Sequence, residues 1–349
     1  MISNPLRPIY DLANEYTSKR TFPDNPLYMD VELTNLCNMD CIFCQRQQMD
    51  RLLGYMSMED FTELVKQSQE AGVKALRFVG WGESFLHKSI MEMLKMVKDA
   101  GMMTHITTNA LLIKDDTIDK LCEVGEANLL DSVIFSMQGL TEEEYFKQRN
   151  SKKFHVLKSN ILKLVNLRNE RNLTRPFIQI MTSTTNETDE EIEKFKEEWG
   201  QIVDLVTVGR TWLKRLKGEA KDRVKDLIER SDELARPTVC NEVRYKFSIH
   251  WNGNVSACCE DYDDHLKLGN IREQSLKEIW DARHSHALRT LLNNGHQGKF
   301  DLCSNCELTQ PYRVEDFLDW KDDISDVEVK EMMAFIEESD IRTVNFDPE

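Results

Sequence analysis

Long apolar runs are missing from this sequence, and so is any concentration of positive charge. No stretch of the 349 residues reaches the roughly eighteen uncharged apolar residues that suggest a membrane-spanning helix. The first residues, "MISNPLRPIYDLANEY", lack the apolar stretch of a signal peptide. The net charge is −16, and no Lys/Arg stripe with interleaved aromatics indicates nucleic acid or an anionic membrane as partner. We therefore expect a cytoplasmic protein.

Cysteine, in contrast, occurs nine times and is unevenly distributed. In a cytosolic chain these residues indicate metal or redox chemistry and not a disulfide framework. Three lie at 37–44 and five lie between residues 240 and 306. Cys122, in "TIDKLCEVG", falls on the apolar side of a helical pattern, which predicts a buried and inert thiol.

Short β-rich runs alternate with amphipathic helices from residue 28 to about 208. The strand candidates are "YMDVELT", "ALRFV", "MTHITTN", "DSVIFSM", "FIQIMTS" and "IVDLVTV". In "SMEDFTELVKQSQEAG", Ser57 is a candidate N-cap and Gly72 marks the helix end. This alternation is typical of βαβ units in an α/β fold with a parallel sheet. Six units are too few for a closed eight-stranded barrel, so a partial (βα)6 barrel or a doubly wound sheet fits.

After this region the sequence changes character. Asn252-Gly253, within "YKFSIHWNGNVSACC", is a strong hairpin signal and opens a small α+β domain. We predict five parts, which are an N-terminal segment (1–27), the barrel (28–212), a charged helical linker (213–236), the small domain (237–310) and an acidic helical tail (311–349).

The first cysteine group, Cys37, Cys41 and Cys44, directly follows the first strand. Active sites of parallel α/β barrels lie at that carboxyl edge. Three thiolates on one loop suit a cubane iron–sulfur cluster whose fourth iron has no protein ligand. Zinc is the alternative, although a zinc site normally has four ligands and no His lies in this loop.

The spacing Cys37-x3-Cys41-x2-Cys44, with Phe43 before the last cysteine, resembles that of the radical S-adenosylmethionine (SAM) enzymes. The resemblance extends over residues 28 to about 210. It implies a partial parallel barrel and a 4Fe–4S cluster whose open iron binds SAM. It also implies reduction by a flavodoxin or ferredoxin, which produces a 5′-deoxyadenosyl radical that removes hydrogen from a substrate.

The segment "VGWGES" resembles the glycine–glutamate motif of this family, in which Gly82 and Glu83 would hold the methionyl amino group. Trp81 stands where the usual pattern has glycine, and Ser84 stands where it has proline. Both differences leave the acidic group in place.

Two further segments resemble family motifs at successive strand ends. "ITTNA", with Thr108 and Asn109, is similar to the segment that faces the ribose. "FSMQG", with Ser136, and the downstream Arg149 are similar to the residues that bind ribose and carboxylate. An arginine fork suits the carboxylate of SAM.

The second cysteine group surrounds the hairpin and ends in a Cys-x2-Cys pair. From the residues alone, a zinc ribbon and an iron–sulfur site are equally good interpretations. The pattern resembles the SPASM/twitch extensions of radical SAM enzymes, in the layout of an aminocyclitol dehydrogenase. It implies one auxiliary 4Fe–4S cluster with the ligands Cys240, Cys258, Cys303 and Cys306. Cys259 should not share this cluster, because adjacent strand residues point to opposite faces.

The resemblance implies an oxidoreductase that dehydrogenates or dehydrates a small polar molecule such as a sugar, nucleotide-sugar or aminocyclitol. Modification of a ribosomally made peptide is the alternative, and only 36 residues precede Cys37 to provide a leader-binding domain. A non-catalytic scaffold would leave the strand-end motifs unused. Candidate catalytic residues are Arg210, a fixed cation, and Glu260, with Asp261 beside it, as proton acceptors. The alternatives are a surface salt bridge for Arg210 and solvated turn positions for the two acidic residues.

Overall fold

A single sheet runs through the described part of the computed structural model, which comprises residues 2–125, 128–185, 187–211, 213, 216–224, 240, 242–304, 306 and 324–344. Its strands are β1 (Tyr28–Val31), β2 (Ala75–Phe78), β3 (Met103–Thr108), β4 (Ser132–Ser136), β5 (Phe177–Thr184), β6 (Leu205–Arg210), β7 (Lys246–Ile249), β8 (Asn254–Ser256) and β9 (Lys267–Asn270).

The helices that accompany the sheet are α1 (Arg7–Ser18), α2 (Met58–Glu70), α3 (Ile90–Asp99), α4 (Asp115–Leu121), α5 (Glu142–Arg149), α6 (Phe154–Glu170), α7 (Asp189–Gly200), α8 (Gly218–Arg223), α9 (Leu276–Asp281), α10 (Arg283–Asn293), α11 (Asp301–Ser304) and α12 (Asp326–Glu337). Within the described ranges, no helix is both long and apolar enough to cross a membrane.

The strand order is β6-β5-β4-β3-β2-β1-β7-β8-β9, and β1 to β6 are all parallel. A doubly wound sheet reverses its strand order at one point, whereas here the first six strands follow one another without reversal. Successive right-handed crossovers in one direction place their helices on one face of the sheet. The predicted partial (βα)6 barrel is confirmed.

One face of the sheet forms the main hydrophobic core. Buried residues from neighbouring strands, such as Phe78, Ile106 and Phe135, pack with Phe61 of α2 and Leu157 of α6. The alternate residues of the same strands point to the opposite, concave face. This face is where a barrel of this kind can hold ligands.

The helix signals of α2 are confirmed. Ser57 Oγ accepts a hydrogen bond from the Asp60 backbone N–H at 3.0 Å. Gly72 follows the last turn with a φ of +71°, a conformation that suits glycine because it has no Cβ.

The predicted hairpin is also present, and it continues the barrel sheet. β7 pairs in parallel with β1, while β8 pairs antiparallel with β7. Gly253 adopts a φ of +83° in the connecting turn. The small domain is therefore joined edge to edge with the barrel, which the sequence did not indicate.

The two outer predicted parts are only partly described. Of the linker (213–236), the structure describes residue 213 and residues 216–224, which include α8. Of the acidic tail, it describes residues 324–344, in which α12 packs against α10. The proposed domain boundaries stay predictions.

Candidate active site and auxiliary cysteine site

The three-cysteine loop leaves the carboxyl end of β1 and packs against the end of α5. The Ile42 backbone N–H donates to the Gln148 carbonyl at 3.0 Å. The Gln47 side chain donates to the Cys41 carbonyl at 2.6 Å. Cys41 is buried, and Cys37 and Cys44 are partly buried. The loop is therefore held in place by its own backbone and by α5.

Two glycines after β2 allow the next loop to pass very close to the end of β1. A Cβ at Gly80 would lie 2.7 Å from Glu32 Cβ, and one at Gly82 would lie 2.1 Å from the Thr34 carbonyl oxygen. The Glu83 N–H donates to the Leu36 carbonyl at 2.8 Å. Glu83 is thereby fixed beside the cysteine loop.

The Glu83 carboxylate is buried and accepts three hydrogen bonds. Its donors are the Thr108 hydroxyl at 2.8 Å, the Asn109 N–H at 2.8 Å and the Phe85 N–H at 3.2 Å. Burial raises the pKa of Glu83, although the hydrogen bonds from Asn109 and Thr108 oppose this shift. The carboxylate is thus oriented by the end of β3, as a ligand for an ammonium group requires.

Asn109 connects the end of β3 with the cysteine loop. Its amide nitrogen donates to Asn38 Oδ1 at 2.8 Å and lies 3.9 Å from Cys37 Sγ. The residue predicted to face the ribose of SAM therefore lies beside a predicted cluster ligand.

Arg149, at the end of α5, approaches the same loop from the other side. One guanidinium nitrogen donates to the Ser136 carbonyl at 2.9 Å, and another lies 3.8 Å from Cys41 Sγ. Its guanidinium carbon lies 5.7 Å from the centre of the Phe43 ring. Its buried Nε has no hydrogen-bond partner among the described residues, so the side chain retains capacity for an anionic group.

The structure thus brings the residues proposed for SAM to one edge of the sheet. The set comprises Phe43, Gly82, Glu83, Thr108, Asn109, Ser136 and Arg149. Ser136 takes part through its backbone carbonyl, which orients Arg149.

The thiols of Cys37 and Cys44 are protonated at neutral pH in the chain without cofactors. Burial raises the pKa of Cys37, and it raises the pKa of Cys44 to about 12. Binding of a metal replaces these protons. A cubane takes its ligands at separate iron corners, and three thiols on one loop fit such an iron–sulfur cluster.

The second cysteine group forms a separate site in the small domain. The four predicted ligands line one cavity, and most of its remaining wall is apolar and includes Leu292 and Leu302. Burial, with a smaller effect of the Glu242 charge, raises the pKa of Cys240 to about 12. Four thiols around one cavity fit a fully ligated iron–sulfur cluster. The lining residues are Cys240, Glu242, Val243, Cys258, Leu266, Leu292, Gln297, Leu302, Cys303 and Cys306.

Cys259 is not part of that lining. Its Sγ lies 3.4 Å from the ammonium of Lys246, which also pairs with the buried Asp30 at 2.9 Å. Asp30 in turn pairs with Arg77 at 2.6 Å. This buried charge cluster joins β1, β2 and β7.

The proposed catalytic residues lie on different elements, Arg210 at the end of β6 and Glu260 in the loop after β8. Arg210 pairs with Thr184 through the sheet, and its side chain lies outside the described part of the structure. Glu260 is partly buried, and its N–H lies 3.4 Å from Cys258 Sγ. Asp261 is fully buried and accepts hydrogen bonds from Ser256 and from the backbone of its own loop. Asp261 therefore stabilises this loop and is not a solvated turn residue.

Sequence reasoning missed the polar network that supports α5. The buried Gln138 follows β4, and its side-chain amide lies within hydrogen-bonding distance of three acceptors. These are Gln148 on α5, Ser183 near the end of β5 and Thr211 just after β6. Gln138 fixes the helix that carries Arg149. No local sequence signal marks this network, because its members are far apart in the chain.

Comparison with known proteins gives two matching family models. The Radical SAM superfamily model matches residues 31–198. The model of the SPASM iron–sulfur cluster-binding domain matches residues 240–307. Both agree with the two cysteine sites.

Individual relatives differ in what they act on. The tungsten-containing aldehyde ferredoxin oxidoreductase cofactor-modifying protein of Pyrococcus furiosus is 24% identical over 321 residues, 80% of this chain and 87% of that protein. The SAM-dependent 2-deoxy-scyllo-inosamine dehydrogenase of Niallia circulans is 44% identical over 54 residues, 16% of this chain and 22% of that protein.

A solved structure shows the same fold. Streptococcus suis SuiB, bound to its precursor peptide SuiA, aligns with a TM-score of 0.57 and 19% identity, covering 88% of this chain and 77% of SuiB. The two family models, the fold and the two cysteine sites agree. The chain is a member of the radical SAM superfamily with a SPASM-type iron–sulfur domain, and its cofactors are SAM, the cluster that binds SAM and an auxiliary cluster.

Proposed function

We propose that this enzyme acts on a small polar molecule, such as a sugar, nucleotide-sugar or aminocyclitol, and dehydrogenates or dehydrates it at a carbinol carbon. The observation that carries the proposal is the polar, partly exposed concave face of the sheet. Partial identity with the inosamine dehydrogenase of Niallia circulans supports the same substrate class.

The concave face presents side chains that can bind hydroxyl groups. Thr107, Gln179, Ser183 and Thr207 all lie on it by strand register and are partly or largely exposed. Gln179 Nε2 donates to Thr207 Oγ1 at 2.7 Å. Amides and hydroxyls of this kind donate and accept hydrogen bonds, as recognition of a polyol requires.

The deeper end of this face is closed by buried polar residues. His105 contacts Ser132 Oγ at 3.1 Å and Thr107 Oγ1 at 3.2 Å. Burial, with the nearby charge of Arg77, lowers the pKa of His105 to about 3. His105 is therefore neutral at physiological pH and orients its hydroxyl neighbours.

In this proposal each group of residues has a distinct role. Cys37, Cys41 and Cys44 would hold the SAM-binding cluster, while Glu83 and Arg149 bind the amino and carboxylate groups of SAM. When bound, these cofactors supply a radical that removes hydrogen from an unactivated C–H bond. The chain itself orients SAM and substrate.

The auxiliary site is proposed to handle the electron that substrate oxidation releases. Its four thiols leave no iron open for substrate, so electron transfer is the role that its ligand set favours. The initial electron would come from a flavodoxin or ferredoxin. We expect the initial electron delivery and the later electron transfer to the auxiliary site to take place in the cytoplasm, where cysteine thiols stay reduced.

Peptide modification is the second candidate, and one observation favours it. In the described sheet, β6 is an edge strand, and Leu205 on β6 and Met181 on β5 are 42% and 41% exposed. A peptide could add to such an edge as an extra strand. SuiB, which has this fold, binds a precursor peptide.

Anaerobic incubation with SAM, dithionite and C-deuterated candidates tests the proposal. Polyols, aminocyclitols and nucleotide-sugars would be compared with peptides, and deuterium in 5′-deoxyadenosine would be measured by mass spectrometry. We expect transfer from a carbon that bears a hydroxyl or amino group. Transfer from peptides alone would replace the small-molecule proposal with the peptide one.

A variant with Cys37, Cys41 and Cys44 all replaced by alanine is the control. It should lose about half of the iron, since each cubane carries four iron atoms, and should no longer cleave SAM. Stoichiometric zinc in protein purified without oxygen would contradict the cluster assignment.

A further inference from the structure

A closed ring of contacts among four residues lies beside the SAM site, and sequence reasoning did not identify it. Arg51 makes a two-point ion pair with Glu32, at 2.9 and 3.0 Å, and both side chains are almost fully buried. Arg51 Nε also donates to the Tyr262 carbonyl at 2.6 Å. The Tyr262 ring packs edge-on against Trp81 at 5.9 Å, and the Trp81 N–H lies 3.4 Å from Glu32.

This ring connects three segments that are remote in sequence. Arg51 belongs to the loop after the three cysteines, and Tyr262 belongs to the loop that follows Cys258. The Asp263 carboxylate strengthens the junction, because it accepts from the backbone N–H groups of Asp50 at 2.8 Å and Arg51 at 2.9 Å. Trp81 belongs to the third segment, which contains the glycine–glutamate motif.

Trp81 is two residues from Glu83, and Gly82 between them lies in close contact with the backbone of the cysteine loop. Gly82 is pressed against the Thr34 and Leu36 carbonyls, at 2.1 and 2.5 Å from a hypothetical Cβ. A displacement of Trp81 therefore displaces the Glu83 carboxylate. Arg51 is thus linked to Glu83 through its hydrogen bond to Tyr262, the ring contact between Tyr262 and Trp81, and the two peptide bonds that follow Trp81.

We propose that Arg51 is a positioning residue that holds the Gly82–Glu83 segment in its SAM-binding arrangement and connects it to the auxiliary-site loop. Arg51 need not contact SAM to do this. The inference rests on SAM binding at Glu83 and is independent of the substrate class. A loss of SAM binding in a folded variant tests it, whatever the substrate proves to be.

Arg51→Lys is the primary variant, with Arg272→Lys as the matched control. Arg272 also makes a two-point pair across the junction, with Asp60 of α2 at 2.7 Å for both contacts, but its side chain is 54% exposed. Lysine keeps the charge and loses the planar fork. If Arg51 only stabilised the junction, the two variants would behave alike.

Reconstituted Arg51→Lys should bind SAM about tenfold more weakly, a loss of about 1.4 kcal/mol, with iron content unchanged. SAM affinity would be measured from the change that SAM causes in the electron paramagnetic resonance spectrum of the reduced cluster. In the cofactor-free chain, the Glu83 and Phe85 amides, which are hydrogen-bonded in the wild type, should exchange faster. Arg272→Lys should change neither quantity.

A second variant covers the possibility that Arg51→Lys does not fold. Tyr262→Leu leaves the carbonyl and the ion pair intact and removes the ring contacts with Trp81 and His265, so it should also weaken SAM binding and accelerate the same amides. SAM affinity within twofold of wild type in folded Arg51→Lys or Tyr262→Leu would overturn the proposal. Equal losses in Arg272→Lys would overturn it as well.

Discussion

At the scale of one residue, Glu83 is a carboxylate held in a fixed orientation where an ammonium ligand could bind. Its carboxylate is buried, and three donors from two segments fix its orientation. Burial disfavours the ionised form and raises its pKa. An ammonium group of SAM would therefore bind a carboxylate that water solvates poorly. Such a charge-assisted contact is stronger than a neutral hydrogen bond.

Glu83→Gln should therefore greatly weaken SAM binding. The change removes a contact with a charged group worth about 1.5–3 kcal/mol and places an amide N–H₂ against existing donors. Equilibrium titration of reconstituted protein with SAM measures the loss, and iron analysis should show no change. An affinity equal to wild type would mean that the methionyl amino group binds elsewhere.

At the scale of elements, short helices and turns deliver the cysteines to the auxiliary site. Cys303 lies on α11, where its N–H donates to the Phe300 carbonyl at 3.1 Å, and the Cys306 N–H donates to the Cys303 carbonyl at 3.1 Å. Cys258 follows β8, and Cys240 precedes the turn that leads to β7. This site thus draws no ligand from the six barrel strands.

Replacement of both Cys303 and Cys306 by alanine should accordingly remove the auxiliary cluster alone. The variant should retain about half of its iron, because one cubane of two would remain, and should still cleave SAM with dithionite. Oxidised product should disappear if the auxiliary site accepts the electron. Far-UV circular dichroism would establish that the variant is folded, and a wild-type product yield would assign the site a structural role.

At the scale of the whole molecule, acidic residues are unevenly distributed along the chain. The chain carries −16, yet residues 145–169 contain no Asp or Glu. Lys152 and Lys153 are exposed there, next to Phe146, which is 42% exposed. The same region carries Arg149, which lies 3.8 Å from Cys41 Sγ. If a flavodoxin is the electron donor, as proposed, the two exposed lysines beside an apolar ring suit the docking of such an acidic carrier near the SAM-cluster site.

Replacement of both Lys152 and Lys153 by glutamate should slow reduction by a flavodoxin about tenfold at low salt, since steering by charge changes association rates by roughly 10 to 10³. Stopped-flow absorbance would follow the reduction. Dithionite should reduce wild type and variant equally, and added salt should lessen the difference. Glutamate at the exposed Lys66 and Lys95, on α2 and α3, is the control and should have little effect. Equal effects of the two pairs would contradict docking at this surface.

Much of this protein could be predicted from local sequence, because periodicity, caps and turn residues act over a few positions. The six βα units, the Ser57 cap and the Asn-Gly hairpin follow from such patterns. The spacing of Cys37, Cys41 and Cys44 indicated the first cluster site, since a short loop brings its own ligands together. For the second group, which is spread from residue 240 to 306, only the family resemblance favoured a cluster over zinc. The family motifs marked Glu83 and Arg149 in the same way.

Contacts between remote segments were decided only by the tertiary structure. The pairing of β1 with β7, the Gln138 network and the buried Arg51–Glu32 pair depend on strand register and on loops that cross between domains. Asp263 meets the backbone of Asp50 across 213 positions of sequence. Local propensity carries no information on such partners, because burial determines them only after the sheet has formed.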